Sequence, residues 1–256
     1  MNRRTITRII FVAAFFLIWE FVYQSGVFPR LMFPSVREIA KSLVKGFASE
    51  NLLGMVGYSM KLLLEGLLLG IGCAVLFSAL SILLRPFGDI YTMLVSAFDL
   101  IPGVALIPLA ILWLGVGEKT IIFLVFHSIV WPMSRNILDG FAAIPNIYLE
   151  SGRNVGLSGM QLVSNVYLPA AFPSFLSGLR VGWARAWRGL ISAEMIFGAT
   201  SSGAGIGWFI FMKRSMVDIA GVFAALIIII LIGMIVEYLV FGMIEKKTVR
   251  KWGLGK

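Results

Sequence analysis

The sequence predicts an all-α, polytopic membrane protein with six transmembrane helices. Hydrophobic residues make up 59% of its 256 positions and charged residues only 14%, against roughly 45–50% and about 25% in a soluble domain. A soluble fold of this size could not bury the surplus, whereas lipid solvates it. The apolar residues also gather into six runs, each near the ~20 residues a span needs. Short alternating polar and apolar strands set off by turns, the mark of a membrane barrel, are absent.

The first run, Arg8 to Gln24, follows Arg3 and Arg4 and carries Trp19, Phe21 and Tyr23 near its far end. It begins like a signal peptide, but no small-residue cleavage site follows, so it reads as an uncleaved anchor ending in interfacial aromatics. Between Pro34 and Phe47, Val36, Ile39, Ala40, Leu43, Val44 and Phe47 recur at helical spacing, with Arg37, Glu38, Lys41 and Lys45 on the other face. That pattern predicts an amphipathic helix lying in the interface rather than another span.

The remaining spans are expected at Gly57 to Leu84, Tyr91 to Leu114, Lys119 to Phe141, Phe172 to Phe197 and Asp218 to Ile244. The second and fifth of the six are long enough to tilt or to project from the bilayer. Pro102, Pro108, Pro132 and Pro173 place kinks in spans, which is tolerated where broken helices line a cavity or pack on protein.

The net charge of +9 is strung between apolar runs and at both ends, without the basic stripe and stacking aromatics of a nucleic-acid binder. It reads as topology information. An even number of spans puts both termini on one side, together with Arg3, Arg4, Arg8, Arg85, Arg153, Lys246, Lys247, Arg250, Lys251 and Lys256. The other side holds Arg30, Arg37, Lys41, Lys45, Lys119, Lys213 and Arg214. The bias favours cytoplasmic termini. The single cysteine, Cys73, excludes an intrachain disulfide and reads as a small buried residue. The single histidine, His127, excludes a His-paired metal site; it reads as an intramembrane polar residue with its hydrogen bonds satisfied.

Between the fourth and fifth spans, residues 145–169 form the longest polar-leaning stretch on the cytoplasmic side. Ile147, Leu149, Val155, Leu157, Leu162 and Val163 are spaced for short helices broken around Gly156-Leu157-Ser158-Gly159. Such a projecting amphipathic segment suits a groove on another protein.

Here the sequence resembles a known family. Glu150-Ser151-Gly152, three residues, Gly156, nine residues and Val166-Tyr167-Leu168-Pro169 are similar to the "EAA" loop of ABC importer permeases, which reads Glu-Ala-Ala, three residues, Gly, nine residues, Ile, one residue, Leu-Pro. Ser151, Gly152 and Val166 depart from the pattern, and Gly152 is expected to loosen the helix by about 1 kcal/mol. The run from Ile101 to Glu118, Gly178-Leu179-Arg180, and the run from Ala193 to Gly203 resemble the nitrate/sulfonate/taurine/bicarbonate branch of that family, so the likeness covers most of the chain.

The resemblance implies a type I importer permease fold in one transmembrane domain, 1–256. The N-terminal span and interfacial helix occupy 1–50, the core 51–245 with the coupling loop at 145–169, and a basic cytoplasmic tail 246–256. It implies a multi-pass protein of the bacterial inner membrane, a homodimer of permeases, two ATPase subunits and an extracytoplasmic substrate-binding protein. Glu150, Ser151, Gly152, Gly156, Leu157, Leu168 and Pro169 would belong to the ATPase-coupling loop. The chain itself would be no enzyme and hold no cofactor, with ATP and Mg bound by the ATPase. Gly115-Val116-Gly117-Glu118-Lys119-Thr120 fits that expectation, because a phosphate-binding loop needs Gly directly before Lys.

Arg180, Arg185 and Arg188 fall in the fifth span, where charge is costly. Arg185 and Arg188 lie about 60° apart on one face, and Glu194 about 40° from Arg180. Two readings of Arg185 and Arg188 stand. They face the path with Glu194 and attract anions, since guanidinium forks match planar oxyanions; or they pair with Glu194, Asp99 or helix-end carbonyls. Arg180 reads as structural. The solute is expected to be a small anion such as a sulfonate, nitrate or taurine. An ion-coupled secondary transporter would show paired internal repeats, and a membrane-embedded enzyme convergent catalytic groups; the sequence displays neither.

Overall fold

The computed structural model describes residues 3–200, 202–249 and 251, so Arg250 and Lys256 of the basic tail lie outside the described residues. Regular structure among them is helical. Helix α1, Arg3–Ser25, is followed by α2, Val36–Ser49, and α3, Leu52–Leu83. Next come α4, Arg85–Phe98, and α5, Ile107–Leu114, which a tight 3-10 turn at Gly103–Leu106 precedes. Helix α6 spans Glu118–Ala142. The short α7, Asn146–Asn154, α8, Gly159–Leu162, and α9, Leu168–Ala170, lead into α10, Phe172–Phe197. Helix α11, Ile206–Ser215, then α12, Ile219–Ile235, and α13, Gly242–Lys247, complete the chain, with wide π turns at Val163–Tyr167 and Val236–Phe241.

Among the described residues, four helices are each long and apolar enough to cross a membrane: the first, α3, α6 and the continuous Ile219–Lys247. The other two expected spans are broken. Arg85–Phe98 and Gly103–Leu114 qualify only as a pair bent by 93°, which corrects the single span expected from Tyr91 to Leu114. The cause is local. Pro102 has no N–H to donate and holds an extended backbone, ψ 128°, and the residue before a proline is pushed out of the helical region. Helix α10 runs from Phe172 to Phe197 as expected, but its arginines dilute it so far that it qualifies only with Gly159–Ala170, from which it bends by 69°.

The centre is a three-helix sandwich in which α6 packs between α3 and α10. Ile129 of α6 is fully buried there. Gly70 and Gly182 flank it so closely that a Cβ would come within 2.2 Å of its Cγ2 or 2.5 Å of its Cγ1. Close approach over small residues is how membrane helices gain packing without a hydrophobic driving force.

Helix α2 starts where its sequence says. Ser35 Oγ accepts from the Glu38 N–H, and the Glu38 carboxylate accepts from the Ser35 N–H, a capping box that satisfies two otherwise orphaned donors. It buries Ile39 and Gly46 and packs against α12, while Val44 and Phe47 stay exposed. Helix α1 buries little of its apolar surface. It is pinned by Trp19, whose indole N–H donates to Pro34 O at 2.9 Å and whose ring stacks on Phe33.

Ion pairs gather the loops into two ends. At one, Lys213, only 3% exposed, donates to Glu50 at 2.7 Å and Asp218 at 2.9 Å. At the other, Arg180 donates to Glu245 at 2.8 Å, the structural role its sequence reading gave it.

Candidate translocation cavity and coupling segment

The break at Pro102 delivers the α4 C-terminus into the helical bundle, and a cavity of about 450 Å³ opens there. Phe98, Asp99 and the Pro102–Val104 turn form one wall. Helix α6 contributes His127, Ser128 and Trp131, and α10 contributes Arg185, Arg188, Gly189 and Ser192. Each set falls on one helix face because residues three, four and seven apart do.

Asp99, whose side chain is 10% exposed, is the one carboxylate among the lining residues. It accepts from Arg135 Nε at 3.0 Å and from Arg185 Nη1. A single carboxylate thus ties the α4 terminus to α6 and α10. Arg188 is held differently: its Nε donates to the Ala184 carbonyl at 3.0 Å on its own helix, and among the described residues it makes no ion pair. Ser128 and Ser192 turn their hydroxyls onto the Leu124 and Arg188 carbonyls.

Glu194 does not join this cavity. It is 1% exposed and accepts from Ser59 Oγ at 2.7 Å and from the Gly207 N–H at 2.9 Å, while Ser59 accepts from the Ile206 N–H. The result is a polar knot fastening α3, α10 and α11. His127 departs from its sequence reading: neither ring nitrogen has a hydrogen-bond partner, although the residue is 6% exposed.

Residues 145–169 form the second site. Helix α7 is capped by Gly156, two residues past its last turn, whose φ of +86° only glycine adopts without strain. The Leu157 N–H returns to the Gly152 carbonyl and the Gly156 N–H to that of Arg153, the pair of bonds that defines a Schellman cap. Gly152 serves packing rather than looseness, since a Cβ would sit 2.9 Å from Leu162 and 3.0 Å from Val166. Glu150 and Ser151 are exposed beside exposed Ile147, Tyr148, Val155 and Met160, with Leu157 and Leu168 half-buried. Pro169 borders an apolar cleft of about 880 Å³ between α7 and the bases of α6 and α10, lined also by Ile144, Tyr148 and Val166.

Residues 66–250, which include both sites, match the family described as the binding-protein-dependent transport system inner membrane component. The chain belongs to that family. This permease is 30% identical over 227 residues to a putative ABC transporter permease protein of Methanocaldococcus jannaschii, covering 86% of its own length and 83% of the relative's. It is 28% identical over 240 residues to the putative aliphatic sulfonates transport permease protein of Bacillus subtilis, covering 94% and 85%. It is 32% identical over 167 residues to the nitrate import permease protein of a Synechocystis species, covering 64% and 59%. The permease is therefore the membrane-spanning component of an ABC importer.

Sequence reasoning gave Asp99 only as a possible pairing partner and passed over Arg135. Arg135 lies four and eight residues beyond Trp131 and His127, on the same stripe of α6, and that spacing is the signal that could have found it.

Proposed function

We propose that two copies of this chain enclose the path of a small organic or inorganic anion in the bacterial inner membrane, with both termini cytoplasmic. A binding protein delivers the solute from outside. Two ATPase subunits, which bind ATP and Mg, dock on residues 150–169 and drive the permeases between two packings, each favoured by a different ligand state. The observation that carries this reading is Arg188, a cavity-lining guanidinium without a carboxylate partner. At an effective dielectric near 20, one charge about 4 Å away is worth roughly 4 kcal/mol to an anion before desolvation. The names of the sulfonate and nitrate relatives agree with that sign of charge. The exposed, apolar α7 surface and its cleft support docking at the coupling segment.

Reconstitution with the neighbouring ATPase and binding protein tests the reading. ATP-dependent uptake of an anion that survives collapse of ion gradients is expected; uptake driven by an ion gradient without ATP would overturn it. For orientation, a cysteine at Gly159, placed in a Cys73→Ala chain, should react with an impermeant thiol reagent only in inverted vesicles. Labelling of intact spheroplasts would reverse the assignment.

A further inference from the structure

The cavity holds hydrogen-bonding capacity that the fold does not use. Both ring nitrogens of His127 and the indole N–H of Trp131 are buried without partners. An unmatched buried polar group costs stability, and one that persists calls for an explanation such as a ligand. The two side chains lie one turn apart on α6 and meet edge to face, ring centroids 6.1 Å apart. The indole also stacks on Phe98 at 4.9 Å, so its plane is fixed. Across the cavity stands Arg188, with only its Nε engaged. Arg135 and Arg185, by contrast, are both occupied by Asp99.

We propose that Arg188, His127 and Trp131 form a solute subsite of the permease itself, which takes the oxyanion head of one compact monoanion. Asp99 is the resident counter-ion that keeps Arg135 and Arg185 out of it. The inference rests on reading the cavity as the solute path. Two N–H donors and a guanidinium complete their bonds only when the anion enters. Phe98, Ile101 and Val104 in the wall accommodate a small apolar tail, so an alkyl sulfonate fits better than a hydroxylated solute. A cation meets the guanidinium with repulsion, and a neutral solute leaves it unpaired.

The test is the thermal unfolding of the purified permease–ATPase complex in nanodiscs, titrated with sodium methanesulfonate at constant ionic strength, since a ligand of the folded state raises the melting temperature saturably. Sodium chloride and methylammonium chloride serve as controls and are expected to give no saturable rise. Arg188→Gln, His127→Phe and Trp131→Phe should each raise the half-saturating concentration about tenfold or more. His127→Phe should at the same time raise the ligand-free melting temperature, because it removes an unpartnered polar group while keeping a ring of similar size. Absence of a methanesulfonate-specific rise in the wild type overturns the proposal, as do variants that half-saturate at the wild-type concentration. A His127→Phe complex that melts lower with unchanged half-saturation assigns the histidine a structural role and also overturns it. Should one variant fail to assemble, the other two carry the test. Uptake into proteoliposomes separates the two levels: anion uptake without the saturable shift removes the subsite alone, whereas uptake confined to cations or neutral solutes removes the anion path as well.

Discussion

Arg185 donates to the carboxylate of Asp99, a residue 86 positions earlier at the break that Pro102 creates. Arg188, three residues on along the same helix, has no such partner. Two arginines indistinguishable in the sequence therefore have different work.

Their substitutions should diverge accordingly. Arg188→Gln is expected to lower anion uptake by an order of magnitude or more with little change in melting temperature. Arg185→Gln should leave the mostly buried Asp99 carboxylate with Arg135 alone and lower the detergent melting temperature by several degrees, at a cost of about 1 kcal/mol given the exposure of the arginine itself. Parallel uptake and unfolding measurements on the two variants check this; identical profiles would contradict the division.

The Glu194 knot predicts a stability effect without a direct role in the path. Glu194→Ala strands the Ser59 hydroxyl and the Gly207 N–H in a buried site, where unsatisfied groups cost about 1–3 kcal/mol each. The variant should melt far below the wild type, and Glu194→Gln, which keeps an acceptor, should fall between. A near-native melting temperature for the alanine variant would show that the knot bears no load.

Gly156 makes a graded prediction. Its left-handed φ costs other residues about 1–2 kcal/mol, least for asparagine. Co-purification of the ATPase with the permease should decline in the order Gly156, Asn, Ala, Glu. Equal retention by all four would mean that the α7 cap has no part in docking.

The Lys213 network predicts a dependence on pH. Burial alone would lower the Lys213 ammonium, but the hydrogen bonds it donates to Glu50 and Asp218 hold it above its ordinary value. Burial would raise those carboxyls, yet the Lys213 ammonium holds both below theirs. The contribution of the carboxylates is present above their ordinary range, near pH 4, and is lost as pH falls through their depressed values. The contribution of the lysine is full below about pH 10.4 and is lost as pH rises through its raised value. Lys213→Met should remove about 3 kcal/mol at neutral pH and flatten the acid limb of the unfolding profile. An unchanged acid limb in that variant would locate the titration elsewhere.

Much of this molecule was determined by its sequence. Span positions follow from the length and continuity of apolar runs, because a bilayer leaves a helix no other solution. The start of α2 follows from Ser35 and Glu38, and the break after α7 from Gly156, since caps and positive φ are local requirements. Only the tertiary structure decided what the charges in the fifth span do. The 100° spacing of a helix tells which side chains share a face, but not what faces them. Asp99 reaches Arg185 because Pro102 turns the chain at that point, and Ser59 reaches Glu194 across 135 residues. Likewise Gly152 read locally as a weak point in a helix, and became a packing contact once Leu162 and Val166 lay over it. His127 read as satisfied, and its ring nitrogens have no partner, because the partner of a buried imidazole comes from another helix, which the periodicity of its own helix does not show.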